Sequence, residues 1–132
     1  MKVALASLNQ KWEDKAHNTK RCEEIIARVA SLGADAVIFP EMTLTGFTMN
    51  THISAEDPAQ SSSLVLFSSL ALHNRIWLVA GLVMYNAEKA ENTLVAFSPD
   101  GIEQVRYVKI HPFSFAGEDR FFIPGQNLGK MR

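Results

Sequence analysis

Hydrophobic positions along the chain fall into short runs that predict β-strands. The runs are residues 3–8, 36–39, 76–84, 92–98 and 102–108. The first two runs are compact and apolar, which is typical of buried strands, and Pro40 ends the second. The last run alternates in polarity and follows the turn-forming sequence Ser-Pro-Asp-Gly at residues 98–101, so the chain is expected to reverse direction there.

Two longer segments have the spacing of amphipathic helices. Residues 14–32 carry an apolar stripe along one face, and Gly33 stands where a glycine often ends a helix. Residues 61–74 predict a second helix, which begins in a serine-rich stretch able to cap it. Between the helices and beyond the second strand, residues 40–58 are rich in threonine, asparagine and glycine and predict a long loop.

The predicted order is strand, helix, strand, loop, helix and three strands, with a loop from residue 109 onward. Early alternation of strands and helices followed by hairpins is typical of a layered α/β fold. We expect the early strands to be parallel and covered by the two helices. The length of 132 residues predicts a single domain over residues 1–132.

Composition narrows the class of protein. Hydrophobic residues make up 47% and charged residues 20% of the chain, which excludes a disordered protein. The formal net charge of -1 gives no electrostatic basis for binding nucleic acid or an anionic membrane. The longest apolar stretch, residues 76–85, is too short to span a bilayer. A single cysteine cannot form an internal disulfide, so we expect a cytoplasmic protein.

Three charged residues are candidates for chemistry because of where they stand. Glu41 follows the predicted strand at residues 36–39, and ligands gather at the carboxyl ends of strands in α/β sheets. Lys109 ends the last strand, where it either faces solvent or points into a cleft as a fixed positive charge. Glu118 lies in a loop. Taken one at a time, each of these residues also fits an ordinary surface position.

Other reactive side chains give weaker signals. None of the four histidines has the spacing of a metal site, and no glycine-rich phosphate loop is present in the sequence. His111 lies close to Lys109 and could line the same site. Cys22 lies on the apolar stripe of the first helix, which indicates a small buried hydrophobic residue rather than a nucleophile.

Several short motifs follow one another along nearly the whole chain. They are Pro40-Glu41-Met42, Thr45-Gly46-Phe47, Asn92-Thr93, Pro99-Asp100-Gly101, Tyr107-Val108-Lys109-Ile110-His111, Gly117-Glu118 and Pro124-Gly125. This order, from about residue 1 to residue 125, resembles the N-terminal half of a nitrilase-superfamily carbon–nitrogen hydrolase.

The resemblance implies a fold and a reaction. The fold is an α-β-β-α sandwich, of which this chain holds only the N-terminal half. The reaction is hydrolysis of small amides or nitriles by a Glu-Lys-Cys triad, without metal or organic cofactor. The family's general base matches Glu41, the lysine that stabilises its tetrahedral intermediate matches Lys109, and its second glutamate matches Glu118. A thiol needs a base and an oxyanion needs a cation, so these roles are chemically consistent.

The same resemblance indicates substrate contacts and partners. We expect Phe47, His111 and Arg120 to contact substrate. Residues 40–49 are similar to the omega-amidase-like branch, which prefers short amides of dicarboxylates, and Arg120 could hold the distal carboxylate. The expected partners are a small amide or nitrile and further copies of the chain in a homo-oligomer, with no nucleic acid or membrane.

The nucleophilic cysteine is the main departure from the family pattern. In the family it follows the lysine in a later segment, and this sequence ends before that point. Cys22 precedes Glu41 and cannot take its place. We therefore expect the 132-residue chain to be inactive alone. The alternative is a non-catalytic interaction module or a partner-dependent subunit, because half a sandwich exposes apolar strands.

Overall fold

A single mixed sheet forms the centre of the computed structural model, which describes residues 1–130. Its strands lie side by side in chain order: β1 (Val3–Leu5), β2 (Ala36–Ile38), β3 (Trp77–Asn86), β4 (Lys89–Phe97) and β5 (Glu103–Val108). β1, β2 and β3 are parallel, whereas β3, β4 and β5 are antiparallel. The predicted α/β class and the parallel early strands are confirmed.

The two long helices begin and end close to the predicted positions, and a third, four-residue helix lies inside the predicted loop. They are α1 (Lys15–Ser31), α2 (Thr51–Ser54) and α3 (Ser62–Asn74). The Asp14 side chain caps α1 by accepting from the backbone N–H of His17, and the Ser61 hydroxyl caps α3 by accepting from that of Leu64. Gly33 follows α1 with a φ of 75°, the left-handed conformation expected of a glycine that ends a helix.

The main core lies between the sheet and the two long helices. It is formed by alternate side chains of the central strands together with the apolar faces of α1 and α3, among them Cys22, Ile26, Val37, Phe39, Phe67, Ala71, Leu78, Ala80, Val95 and Phe97. Because strand side chains alternate between faces, this core uses only one face of the sheet.

The opposite face of the sheet carries an exposed apolar row. The register places Leu5 beside Ile38 and Ile38 beside Val79, all on the side away from the helices. Leu5 is 78% exposed, and Ile38 and Leu94 are also exposed. We call this surface, consisting of Val3, Leu5, Ile38, Val79 and Leu94, the open face.

The prediction of a buried first strand over residues 3–8 is wrong. β1 is shorter and lies at the edge of the sheet, and its outward side chains Val3 and Leu5 are exposed. Only Ala4 of this strand packs against the core. An apolar run does not reveal whether one face of the sheet or both are covered.

The connecting segments are more ordered than the sequence predicts. The loop at residues 40–58 contains α2, and the segment after β5 contains two 3₁₀ turns, Ser114–Ala116 and Glu118–Arg120. β4 begins at Lys89 rather than residue 92, because a two-residue turn pairs Asn86 with Lys89. Within the described residues, no helix is both long and apolar enough to cross a bilayer.

Candidate active site

A tight turn after β2 brings Glu41 onto the open face. The backbone N–H of Thr43 donates to the carbonyl of Gly81 at 2.8 Å, and the N–H of Gly81 donates to the Thr43 hydroxyl at 3.1 Å. Met42 adopts a φ of 46°, which is uncommon for a residue with a side chain. A Cβ on Gly81 would lie 2.7 Å from the Cα of Glu41, so the turn can cross β3 only at a glycine.

Lys109 follows β5 and reaches both candidate carboxylates. Its backbone N–H donates to the carbonyl of Asn92, which fixes the end of β5 against β4. Its Nζ donates to Oε1 of Glu41 at 2.6 Å and to Oε2 of Glu118 at 2.9 Å. The ammonium also lies 5.3 Å from the centre of the Phe47 ring, within the range of a cation–π contact.

Glu118 is fully buried, and both of its carboxylate oxygens are hydrogen-bonded. Oε1 accepts from Nδ2 of Asn92 at 2.7 Å, and Oε2 accepts from Lys109 and from the backbone N–H of Phe113. Burial favours a raised pKa for this carboxyl, but the donors from Asn92, Phe113 and Lys109 outweigh burial and lower its pKa. Glu118 therefore stays ionised and holds Lys109 in place.

Glu41 differs from Glu118 in exposure and in its hydrogen bonds. Its side chain is 43% exposed. Asn92 and Lys109 both donate to Oε1 of Glu41, and neither reaches Oε2. A half-exposed carboxylate with one oxygen anchored by hydrogen bonds and the other outside them is suited to accept a proton from a bound group. The geometry thus makes Glu41, not Glu118, the candidate general base.

Lys109 is held in its charged form. Partial burial favours a lowered pKa for the ammonium, but the hydrogen bonds and charges of Glu41 and Glu118 outweigh burial and raise its pKa. An ammonium has three N–H donors, and the two carboxylates use two of them. The third is available for an oxyanion that develops in the cleft.

An open cleft adjoins these charged groups. It is lined by Glu41, Phe47, Lys109, His111, Pro112 and Phe113. Phe47 and His111 therefore lie where the sequence predicts substrate contacts. Arg120 does not: it lines a separate cavity together with His52 and Lys89.

Cys22 lies on the other side of the sheet. The side chain is fully buried in the core between the sheet and the helices. Burial raises the pKa of its thiol to about 12, so the thiolate is inaccessible near neutral pH. This confirms Cys22 as a buried hydrophobic residue. Within residues 1–130, no group of three or more His, Cys, Asp or Glu side chains is arranged to hold a metal ion.

Four residues that shape the site were not given a role by the sequence reasoning. Gln10 donates through Nε2 to the carbonyls of Met42 and Thr43, and so braces the turn behind Glu41. Thr43 and Gly81 pair with each other, and Asn92 bridges the two glutamates. Gly81 alone had a readable signal, because a glycine inside an apolar strand often marks a close backbone approach.

The fold and site together define a class of protein. An α/β sheet presents a lysine shared by a buried and a half-exposed glutamate, beside a cleft with aromatic walls. Such a set contains a candidate base and a fixed cation, which are groups that hydrolysis of a polar carbon–heteroatom bond can use. Residues 2–128 match the model of the carbon-nitrogen hydrolase family, and the chain belongs to that family.

Individual relatives agree with this assignment. A nitrilase of Pyrococcus abyssi is 27% identical over 129 residues, which cover 95% of this chain and 48% of the relative. An omega-amidase of Xenopus laevis is 31% identical over 112 residues, covering 81% of this chain and 40% of the relative.

A solved structure shares the fold. A CN-hydrolase superfamily protein of Xanthomonas campestris superimposes with a TM-score of 0.86 at 24% identity, covering 95% of this chain and 46% of that one. The chain thus spans about half the length of the proteins it matches.

Proposed function

We propose that this chain provides the general base and the oxyanion-binding cation of a cysteine-dependent hydrolase of small amides or nitriles. The observation that carries the proposal is the shared lysine: Lys109 donates to Glu41 and to Glu118, and only Glu41 keeps an oxygen directed away from these bonds. Family membership supports hydrolysis of a carbon–nitrogen bond as the reaction class.

In the proposed mechanism, Oε2 of Glu41 takes the proton of a thiol, and the thiolate attacks the carbonyl or nitrile carbon. For an amide, Lys109 stabilises the oxyanion of the tetrahedral intermediate with its free N–H. Glu41 then gives its proton to the leaving amine. In the second half of the cycle, Glu41 removes a proton from water, whose oxygen attacks the acyl-enzyme. The carbon–sulfur bond then breaks, and Glu41 returns the proton to the departing thiolate, which restores the thiol and the base.

We infer that the thiol comes from polypeptide outside these 132 residues. The single cysteine, Cys22, lies in the core on the helix side of the sheet, whereas the candidate base lies on the open face. A buried thiol with a pKa raised to about 12 cannot serve a cleft on the far side of a sheet. The 132-residue chain by itself is therefore proposed to be inactive.

The proposed substrate is a small linear amide or nitrile. Phe47 and Phe113 give the cleft apolar walls next to the charged groups, which suits a short acyl chain. Omega-amidases are among the relatives, and the resemblance of residues 40–49 to that branch is our reason to propose an amide of a dicarboxylate as the substrate. His111 lines this cleft and Arg120 does not, so we propose His111 rather than Arg120 as the contact for a distal carboxylate.

Complementation tests the proposed function. The 132-residue chain is mixed with a separate polypeptide that corresponds to the second half of a family member and carries the cysteine. Ammonia release from propionamide and from succinamic acid is then measured. We expect none from either polypeptide alone and release from the mixture. Ammonia release by the 132-residue chain alone would contradict the proposal. So would a mixture that releases no ammonia although light scattering shows that the two polypeptides form a complex.

The open face favours a second candidate function, that of an interaction module. Leu5, Ile38 and Leu94 expose apolar surface in one row, on a part of the sheet outside the buried cluster that Met42 and Phe122 form at the other end of the same face. A second copy presents the same row, and two such sheets can pack face to face about a two-fold axis. We propose this self-association as the basis of the homo-oligomer.

A further inference from the structure

Asn92 lies at the centre of the charged cluster and touches both carboxylates. It is almost fully buried on β4, opposite Val83 of β3. Its Nδ2 donates to Oε1 of Glu41 at 2.7 Å and to Oε1 of Glu118, also at 2.7 Å. An amide nitrogen carries two hydrogens, so each carboxylate takes one of them.

The charges around Asn92 explain why a neutral donor is needed there. Two carboxylates share one ammonium, so the cluster carries a surplus negative charge, and the two like charges repel each other. A side-chain amide does not titrate, and it stabilises both ionised carboxylates without exchanging a proton with either. An aspartate of the same shape would add a third negative charge.

The same hydrogen bonds decide which oxygen of Glu41 is free. Asn92 and Lys109 both approach Oε1, so the carboxylate plane is fixed and Oε2 is turned away from both donors. Without Asn92, only Lys109 of these two donors would hold the Glu41 carboxylate. A flexible ammonium can follow either oxygen as the carboxylate rotates.

We propose that Asn92 is a positioning residue, which donates one hydrogen bond to each carboxylate and so orients Glu41 with Oε2 free to act as the base. This inference deepens the proposed function, on which its catalytic meaning rests. The hydrogen-bonding part concerns the chain alone. It can therefore be tested without hydrolytic activity.

The first measurement uses the wild-type chain. The two Nδ2 protons of Asn92 are followed by NMR as the pH is lowered, together with the carboxyl carbons of both glutamates. We expect one amide proton to shift in step with Glu41 and the other in step with Glu118. Amide resonances that do not respond to either titration would overturn the proposal, and this result needs no variant to fold.

The second measurement compares two buried asparagines. Asn92→Leu removes the donor and keeps the same number of side-chain heavy atoms. Asn18→Leu is the matched control, because Asn18 is also buried but donates to the carbonyls of Lys11 and Leu44. We expect Asn92→Leu to raise the titration midpoint of Glu118 by about one to two pH units, the size of a lost hydrogen bond to a charged group.

The control separates positioning from stability. We expect Asn18→Leu to lower the melting temperature and leave the Glu118 midpoint unchanged. Equal midpoints in Asn92→Leu and the wild type, or the same shift in Asn18→Leu, would overturn the proposal.

Hydrolytic activity provides a separate test of the catalytic part of the inference. In the complemented enzyme, Asn92→Leu is expected to lower kcat at least 10-fold with little change in KM, because the base is misdirected while the cleft is intact. If complementation gives no wild-type activity, the proposed function fails while the NMR result still decides the role of Asn92. An unchanged kcat in an active complex would overturn the catalytic part of the inference.

Discussion

Lys109 lies between two carboxylates whose surroundings differ. Glu118 is buried with both oxygens bonded, and Glu41 is half-exposed with one oxygen free. Two glutamates beside one lysine can therefore serve different purposes. Burial and hydrogen bonding suit Glu118 to anchor the lysine and leave Glu41 suited to proton transfer.

Replacing the lysine tests how strongly these charges depend on it. In Lys109→Met, the buried carboxylate of Glu118 loses its cation, and the free energy of unfolding at pH 7 should fall by about 3 kcal/mol. The pKa of Glu118 should rise, so the deficit should shrink as the pH is lowered and the carboxyl becomes neutral. Urea unfolding at pH 7 and pH 5 measures both effects.

The double variant provides the control for this charge argument. Adding Glu118→Gln to Lys109→Met removes the unpaired charge and should recover most of the stability at pH 7. An equal deficit at both pH values, with no recovery in the double variant, would show that Lys109 contributes packing rather than charge.

Gly81 allows the turn that carries Glu41 to cross β3. In Gly81→Ala, the new methyl group would meet the backbone of Glu41 and Met42 at 2.7 Å, which is too close without movement of the chain. The free energy of unfolding should fall by about 2–3 kcal/mol. Leu94→Ala, at the position paired with Gly81 on the open face, is the control and should cost less than about 1 kcal/mol. If denaturant unfolding shows comparable losses of unfolding free energy in Gly81→Ala and Leu94→Ala, the close approach of the Glu41 turn to Gly81 would be contradicted.

Residue types at the site were partly readable from the sequence. Glu41 and Lys109 stand directly after strands, and the resemblance to a family gave them roles. Asn92 received no role, because its function comes from pairing β4 with the segment that carries Glu118, which no local pattern reveals. Arg120 was predicted to contact substrate from its positive charge and the resemblance to the omega-amidase-like branch, but it lines a separate cavity, although it belongs to the same 3₁₀ turn as Glu118.

At the scale of elements, Glu56 joins two helices to the sheet. Its carboxylate accepts from Lys15 of α1 and from the hydroxyls of Ser61 and Ser63 at the start of α3. Its backbone also pairs with Val83 and Tyr85 of β3. Burial opposes ionisation of this carboxyl, but the hydrogen bonds from Lys15, Ser61 and Ser63 dominate and lower its pKa from 4.5 to about 2.

This lowered pKa predicts a pH dependence of stability. Because the folded chain holds Glu56 ionised more strongly than the unfolded chain, the contribution is fully present above pH 4.5 and is lost as the pH falls to about 2. Its size is about 3 kcal/mol. In Glu56→Gln, the unfolding free energy should be lower at pH 7 and should change less between pH 5 and pH 2.5 than in the wild type.

Glu23→Gln, at an exposed position on α1, is the control for the loss of one acid. Chemical denaturation across the pH series gives the comparison. The same pH profile in both variants would show that Glu56 is not held by these donors.

Elements with strong local patterns were predicted well, and those fixed by tertiary contacts were not. The stripe of α1 and the cap of α3 are visible in the sequence, because period and capping chemistry are local. The four-residue α2 is too short to be stable alone, and it packs against β3. The exposure of β1 depends on which face of the sheet is covered, a property of the whole molecule.

At the scale of the whole molecule, the open face and the candidate site share one side of the sheet. Leu94 and Tyr107, together with Asn92 and Lys109, line one cavity on that side. A layer that covers the open face would therefore also border the cleft. Under the proposed function, such a layer would couple association to activity, because closing an active site strengthens the electrostatic interactions within it.

Self-association of the isolated chain follows from its exposed apolar row. Size-exclusion chromatography with light scattering should give a dimer or larger species for the wild type. Leu5→Lys combined with Ile38→Lys places charges in the row and should shift the chain toward monomer. Val65→Lys, at an exposed position on α3, should leave the assembly unchanged. A wild-type monomer, or equal shifts in all variants, would contradict packing through the open face.

The central claim is that Glu41 is the base of a carbon–nitrogen hydrolase whose thiol lies outside these residues. The rate of ammonia release by the complemented enzyme, compared between the wild type and Glu41→Gln, tests it most directly. Because the amide of glutamine cannot accept the thiol proton, we predict that kcat falls by about 10²–10⁴-fold. A Glu41→Gln complex that turns over at the wild-type rate would contradict the claim.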